Sequence, residues 1–95
     1  MVTIPKLGTE IPKGWQFVDI VIEGTPMVIG GFNVWEHQWQ ETGKALPVSH
    51  PQYPSQWHSM PIYEVEANHD VVRFAAGEFS NCVWGFYIPE PPVDH

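Results

Sequence analysis

Proline and glycine divide this chain into short segments and leave almost no room for a long helix. The sequence contains ten prolines and eight glycines, and only Ile62–Ala76 runs for fifteen residues without either. Proline removes a helical hydrogen bond and clashes with the preceding turn, and glycine lowers helix stability. The sequence therefore predicts an all-β fold, a small antiparallel meander of five to six strands that forms an open sheet or a partly closed barrel.

The chain has the size and composition of a single small domain. Its 95 residues are 43% hydrophobic and 16% charged, which excludes a wholly disordered chain. We expect one β domain over residues 1–95. Its less regular parts are expected to be an irregular N-terminal arm over 1–14, a long loop rich in proline, histidine and tryptophan over 36–60, and a frayed proline-rich tail over 89–95.

A β-hairpin is predicted around Asn68 and His69, two turn-forming residues within the stretch that lacks proline and glycine. A two-residue loop there sets three cross-strand pairs: Tyr63 with Phe74, Glu64 with Arg73, and Val65 with Val72. The alternative is a helix with an apolar stripe made of Tyr63, Ala67, Val71 and Phe74. We prefer the hairpin because a helix offers no comparable pairing of charges on one face and apolar residues on the other.

The following strand continues the meander if residues 77–81 form a five-residue loop. This loop sets three further pairs: Ala76 with Cys82, Phe74 with Trp84, and Val72 with Phe86. Cys82 is then an inert thiol in the core. The opposite face is expected to be wet and carries Glu64, Glu66, Arg73 and Tyr87.

The N-terminal half predicts a second, more apolar hairpin. A strand over Trp15–Glu23 leads through Gly24-Thr25 into a strand from Met27 onward. The predicted pairs are Ile22 with Met27, Ile20 with Ile29, Phe17 with Phe32, and Gln16 with Asn33. Both faces of this hairpin are largely apolar, so both need cover from the chain's own loops, from barrel closure or from a partner. If the partner is a second copy of the chain, the protein forms a homo-oligomer through the hairpin 15–34.

The charge and the cysteine content of the chain limit which partners it can bind and in which cellular compartment it is expected. The net charge is −7, because the basic residues are limited to Lys6, Lys13, Lys44 and Arg73. Such a surface releases few phosphate counterions, so neither nucleic acid nor an anionic membrane is expected as a partner. No apolar run reaches the roughly 20 residues of a membrane span, no secretion signal is evident, and one cysteine forms no internal disulfide. These features favour a cytoplasmic location.

The segment after Val34 has more than one interpretation. The predicted strand that begins at Met27 is expected to extend to Glu41. The alternative is that residues 36–41 form a single helical turn. A short strand over Ala45–Val48 and a proline-broken surface loop over Ser49–Pro61 follow. Aromatic and histidine side chains concentrate here, which favours a binding site. The candidate binding residues are Trp35, Trp39, His50, Tyr53, Trp57 and His58. The alternative for the tryptophans is that they fold back and cover the sheet.

Motifs for catalysis are missing from the sequence. No glycine-rich nucleotide loop and no G-x-S-x-G elbow is present. The carboxylate pair Glu64 and Glu66 is more simply a solvated face beside Arg73. We therefore expect no catalytic residues, no enzyme activity and no cofactor. A metal site is a weak alternative, and its ligands would be His37, His50 and His58.

Two functions from different classes agree with these observations. The first is a non-catalytic protein-interaction module of the accessory, inhibitor or immunity type, with a protein partner or self-association. The second is a small-ligand, carbohydrate or metal-binding domain that uses the histidine- and tryptophan-rich loop 35–58. The sequence favours the first, because the chain is small, lacks catalytic motifs and is rich in apolar side chains.

Overall fold

The computed structural model describes residues 11–50, 53 and 55–91. Most of the expected N-terminal arm and of the expected tail lies outside these residues. One part of the tail is described and contradicts the prediction, because Pro89 is the last residue of a strand and lies opposite Trp15. Proline is tolerated at the end of a strand, where its missing N–H interrupts no further ladder bonds.

The fold is nearly all β, as the sequence predicts. Its elements are β1 (Trp15–Ile22), β2 (Val28–Ile29), β3 (Phe32–Asn33), a 3₁₀ turn (Val34–Glu36), β4 (Gln40–Ser49), β5 (Trp57–Ala67), β6 (Asp70–Ser80) and β7 (Val83–Pro89). Five strands form one antiparallel sheet in the order β1-β7-β6-β5-β4, and β2 pairs with β3. The sheet is open, because β1 and β4 lie at its two edges.

The hairpin of β5 and β6 has the predicted turn and register. Its three predicted pairs, Tyr63 with Phe74, Glu64 with Arg73 and Val65 with Val72, are all present. Asn68 and His69 have φ angles of 53° and 70°, so both turn residues are left-handed. This is the backbone that a tight two-residue hairpin loop needs, and asparagine adopts it more readily than most residues. The alternative helix is wrong.

The predicted register of the next hairpin is wrong. Strand β6 continues to Ser80, so that Ala76 lies opposite Phe86 and Gly77 lies opposite Gly85. Gly77 does not end the strand but gives space to the sulfur of Met60. Glycine within a strand commonly marks such a close approach. The turn contains Cys82, which has a φ of 64° and is exposed, so it is not a core thiol.

The predicted N-terminal hairpin is also wrong. Strand β1 pairs along its length with β7, whereas β2 pairs only with β3. The ladder between β1 and β7 runs from Trp15 opposite Pro89 to Ile22 opposite Val83, and the two-residue β2 could not supply as many hydrogen bonds. The hairpin 15–34, on which the predicted homo-oligomer depends, does not form.

Each face of the sheet has its own apolar cluster. The first face is covered by the segment between β1 and β4, and its buried residues are Met27, Ile29, Val34, Val65, Phe74, Ala76 and Phe86. The second face has the buried residues Leu46, Val48, Met60, Ile62, Ala75 and Tyr87. The prediction that the second face is wet is therefore wrong at its centre, although Glu64 and Arg73 do lie on it as expected.

Most of the predicted loop 36–60 is strand. Strand β4 covers residues 40–49, far more than the expected Ala45–Val48, and β5 begins at Trp57. Residues 36–41 form neither a strand throughout nor a helical turn, since the 3₁₀ turn ends at Glu36 and β4 begins at Gln40. Pro47 is tolerated because β4 is an outer strand, and Pro61 lies opposite Ala45, where the ladder resumes after a register shift.

Both outer strands carry an irregularity. The register of β1 shifts between Phe17 and Asp19, and that of β4 shifts between Glu41 and Ala45. Such bulges locally interrupt the ladder and bend the strand. In the part of the chain that is described, no helix has the length and apolar character to span a membrane.

Asn33 holds the cover of the first face in place. Its Oδ1 accepts hydrogen bonds from the backbone N–H groups of Met27 (3.1 Å) and Trp35 (3.3 Å), and its Nδ2 donates to Glu36. It is the N-cap of the 3₁₀ turn. An N-cap asparagine satisfies backbone donors that the turn itself cannot satisfy. The same side chain thus joins the start of the small hairpin to the turn that follows it.

Candidate functional site

A cavity of about 490 Å³ opens on the second face of the sheet. Its lining residues come from three neighbouring strands, β4, β5 and β6, and from the opposite edge strand β1: Trp15, Thr42, Lys44, Ile62, Glu64 and Arg73. Small-molecule sites in proteins usually occupy about 300–1,000 Å³. The cavity therefore has the volume of a ligand site, and we call it the second-face cavity.

The register shift in β4 places Thr42 and Lys44 at this cavity. Thr42 Oγ1 donates a hydrogen bond to the carbonyl oxygen of Ile62 (2.9 Å) and accepts one from the backbone N–H of Lys44 (3.3 Å). Gly43 between them has a φ of 82°, in the region that favours glycine. The threonine hydroxyl thus takes part in the ladder where the backbone pairing is interrupted, and it fixes the position of Lys44.

Arg73 and Glu64 form a cross-strand ion pair at the cavity. Arg73 donates from Nε (3.2 Å) and from Nη2 (2.9 Å) to the same carboxylate oxygen, Glu64 Oε2. Nη1 of the guanidinium and Oε1 of the carboxylate take no part in this pair. Both side chains are partly exposed, so the ion pair itself stabilises the fold by less than about 1 kcal/mol. The pair therefore presents one donor group and one acceptor group to a ligand.

The cavity has a local excess of positive charge in an acidic protein. Two of the four basic residues of the chain, Lys44 and Arg73, line it, and Glu64 is the one acidic residue among the described lining residues. One positive charge is left in excess there, although the whole chain has a net charge of −7. The electrostatic character of the second-face cavity is thus opposite to that of the protein as a whole.

The remaining wall of the cavity is apolar. Trp15 is half-buried and Ile62 is buried, and both pack in the second-face cluster together with Tyr87. Burial raises the pKa of Tyr87 to about 12. The hydroxyl of Tyr87 has no hydrogen-bond partner among the described residues. An indole beside an aliphatic side chain offers a flat surface on which a ring can stack.

Trp35 and Trp39 lie on the first face and do not reach this cavity. They contact each other at a ring-centroid distance of 5.2 Å, and both contact Trp84 and Phe86. Their indole N–H groups donate to backbone carbonyl oxygens, that of Trp35 to Thr25 and that of Trp39 to Val34 (each 2.7 Å). The geometry thus favours the alternative interpretation, in which these tryptophans cover the sheet.

His50, Tyr53 and His58 form a separate cluster around Phe79. The His50 ring lies 5.0 Å from Tyr53, 5.4 Å from His58 and 5.1 Å from Phe79, measured between centroids. The backbone N–H of Tyr53 donates to His50 Nδ1 (3.2 Å). Burial, and secondarily the neighbouring His58, lower the pKa of His50. Nε2 of His58 is buried without a hydrogen-bond partner among the described residues.

Trp57 follows this cluster at the start of β5 and is 58% exposed. Tyr53 is 56% exposed, although its ring contacts His50. These are the two candidate binding residues whose side chains are free to meet another molecule over much of their surface. The structure thus divides the six predicted residues between the aromatic cover of the first face and the region around His50 and the start of β5.

The three histidines proposed as metal ligands do not come together. The His37 ring packs against Phe32 at 4.6 Å on the first face, whereas His58 contacts Phe79 in the second-face cluster. Across residues 11–50, 53 and 55–91, no group of three or more histidine, cysteine or acidic residues has a metal-binding arrangement. The weak metal alternative is therefore not supported by the placement of these histidines.

The residues that line the second-face cavity were not predicted as a site. The pairing of Glu64 with Arg73 was predicted, and both Lys44 and Arg73 stand out among four basic residues. The missing information was the strand β4, whose pairing with β5 brings Lys44 to the same face. The signal in the sequence that points to this cavity is a scarce basic residue on each of the two strands that flank β5.

Comparison of the chain with protein-family models, with curated proteins and with solved structures returned no match. The geometry and chemistry of the second-face cavity are therefore the basis for a functional proposal. Its described lining residues contain no serine, cysteine or histidine, and the hydroxyl of Thr42 donates to the backbone carbonyl oxygen of Ile62 and not to a general base. They offer charge, hydrogen bonding and a stacking surface, which are the means of binding.

Proposed function

We propose that this chain is a non-catalytic binding domain that holds a small organic molecule in the second-face cavity. The observation that supports the proposal is the combination of Lys44, Arg73 and Trp15 around a volume of about 490 Å³. Ligand sites are typically apolar pockets with a few convergent polar groups that fix the orientation of the ligand. This proposal belongs to the small-ligand class that the sequence offers as its second function, but it uses different residues.

The lining of the cavity favours binding over catalysis. Thr42 is engaged through its hydroxyl with Ile62 and Lys44, and Glu64 is engaged through Oε2 with Arg73. Acid–base catalysis by a carboxylate pair needs two carboxyl groups on either side of the reacting bond. Glu64 is the one carboxylate among the described lining residues. A ligand would therefore be recognised and released without a chemical step.

Nuclear magnetic resonance tests the proposal directly. Titration with a panel of neutral, acidic and basic small molecules is expected to shift the indole signal of Trp15 and the methyl signals of Ile62 in a saturable way for at least one compound. Trp15→Ala removes the indole signal itself and is expected to abolish the shifts of the Ile62 methyl signals. Trp57→Ala is the matched control, because it removes a tryptophan that does not line the cavity. Shifts that persist unchanged in Trp15→Ala would contradict the proposal, as would a panel that moves no cavity signal.

A second proposal is self-association through the exposed aromatic side chains of Tyr53 and Trp57. Trp57 and Tyr53 are each more than half exposed, and aromatic side chains contribute much of the energy of protein interfaces. Sedimentation velocity over a hundredfold range of concentration is expected to show a dimer that Trp57→Ala weakens. Val71→Ala is the control, since Val71 is 61% exposed in a different strand. A strict monomer at all concentrations would exclude this proposal.

A further inference from the structure

We infer that the ligand of the second-face cavity is a monocarboxylate in which the carboxylate lies beside a flat, largely apolar ring. This inference rests on the proposed function and names the class of ligand for the same site. It depends on the unequal pairing of charges in the cavity and on the position of Trp15.

The charges of the cavity lack one negative partner. The ion pair recorded among the described residues joins Arg73 to Glu64, and Lys44 has no carboxylate partner there. A ligand carboxylate would neutralise the excess positive charge by accepting hydrogen bonds from Lys44. The Nη1 of Arg73 takes no part in the pair with Glu64 and offers a second donor. Hydrogen bonds between ionised groups of this kind are about twice as strong as neutral ones.

The apolar wall determines the rest of the ligand. Trp15 and Ile62 line the same cavity as Lys44, so a molecule held by its carboxylate would place its body against the indole and the isoleucine. Aromatic side chains favour flat partners in stacked or edge-to-face contact. A ring that carries one carboxylate meets both requirements within a volume of about 490 Å³.

Other classes of ligand fit this cavity less well. A polyanion would meet one uncompensated positive charge at the site and a net charge of −7 on the chain as a whole. An organic cation would meet Lys44 and Arg73, and a neutral ring would leave Lys44 without a partner. A monoanion is the class that balances the charges of the described lining residues.

The inferred ring is that of an aromatic acid, and two matched pairs of compounds distinguish it from a sugar acid, whose ring is neither flat nor largely apolar. The probes are indole-3-acetate with its neutral amide, and glucuronate with glucose. In each pair, the acid and its partner differ in charge while the ring is unchanged. We expect indole-3-acetate to bind at least about tenfold more tightly than its neutral amide. A preference found only for glucuronate over glucose would overturn the assignment of a flat, largely apolar ring.

Variants connect the preference to Lys44. Lys44→Gln is expected to weaken binding of the acid about tenfold and to leave binding of the neutral partner unchanged. Lys13→Gln is the matched control, because it removes the same charge from an exposed residue that does not line the cavity. Equal loss in both variants would overturn the inference, since it would point to the net charge of the protein and not to this site.

The outcomes separate this inference from the proposed function. If acid and neutral partner bind equally and shift the signals of Trp15, the binding domain stands and the carboxylate inference is overturned. If no compound of either pair shifts a cavity signal, the inference fails, and the wider panel decides the proposed function. Tighter binding of indole-3-acetate that Lys44→Gln removes supports both.

Discussion

The phenyl ring of Phe79 lies over Gly85, where a Cβ atom would collide with the edge of the ring. Gly85 belongs to β7 and is buried in the middle of the sheet. Gly85→Ala is therefore expected to destabilise the fold by about 1–3 kcal/mol, the usual cost of overpacking. Unfolding in urea measures this loss.

The double variant shows whether the collision is the cause. Phe79→Ala removes the ring and leaves space for the new methyl group, so the further loss caused by Gly85→Ala should fall below about 0.5 kcal/mol in that background. An equal loss with and without the ring would contradict the explanation.

Asn33 is expected to stabilise the fold through the cover of the first face. Asn33→Ala removes the acceptor for the backbone N–H groups of Met27 and Trp35 and should cost about 1–2 kcal/mol. Asn33→Asp keeps this acceptor and should recover most of the loss. Thermal unfolding compares the three proteins, and equal stability of the wild type and Asn33→Ala would contradict the role of the cap.

The buried hydroxyl of Tyr87 is expected to lower stability. It has no partner among the described residues, and burial of an unpaired hydroxyl costs roughly 1–3 kcal/mol. Tyr87→Phe removes the oxygen and keeps the ring that contacts Phe17, so it should raise the free energy of unfolding. Tyr63→Phe is the control at a partly exposed tyrosine and should change stability by less than about 0.5 kcal/mol. A loss of stability in Tyr87→Phe would contradict the prediction.

The stability of the domain is expected to decrease below neutral pH through His50. Its pKa is lowered from 6.5, first by burial and then by His58. The unfolded chain therefore binds a proton more readily than the folded chain, and the free energy of unfolding declines as pH falls below about 6.5. Urea unfolding between pH 7.5 and pH 5 measures the decline. His50→Gln should show a smaller decline, and an identical one would exclude His50 as the cause.

The sequence predicts best where the partner strand is close along the chain. The hairpin of β5 and β6 is correct in turn and register because Asn68 and His69 take the left-handed conformation that such a loop requires. The register is then fixed by the cross-strand pairs, in which opposite charges face each other and apolar side chains face apolar side chains.

The sequence-based prediction fails where the partner strand is distant along the chain, or where a glycine lies within a strand and not in a turn. Strand β1 pairs with β7, which lies at the other end of the chain, and local turn signals such as Gly24-Thr25 carry no information on that pairing. Gly77 resembles the start of a loop but gives space to Met60 within β6. Because the observed register differs from the predicted one, Cys82 lies in an exposed turn and not in the core.

The candidate site was missed for a related reason. The prolines within Ser49–Pro61 indicate a loop, so the pairing of β4 with β5, which brings Lys44 to the cavity, is not evident from the sequence. Proline disrupts a strand less when the strand lies at the edge or when the partner is irregular, and both conditions hold here. The sequence predicts the aromatic residues of the same region as one binding group, whereas Trp35 and Trp39 cover the first face and Trp57 is exposed.

The interrupted ladders of β1 and β4 also determine how the sheet meets other molecules. A foreign strand laid along either one would find its row of donors and acceptors broken, at Asp19 on one side and between Glu41 and Ala45 on the other. Growth into a fibre by successive strand addition is thereby disfavoured at both ends. Contacts made by this domain are accordingly expected to depend on side chains and not on the backbone.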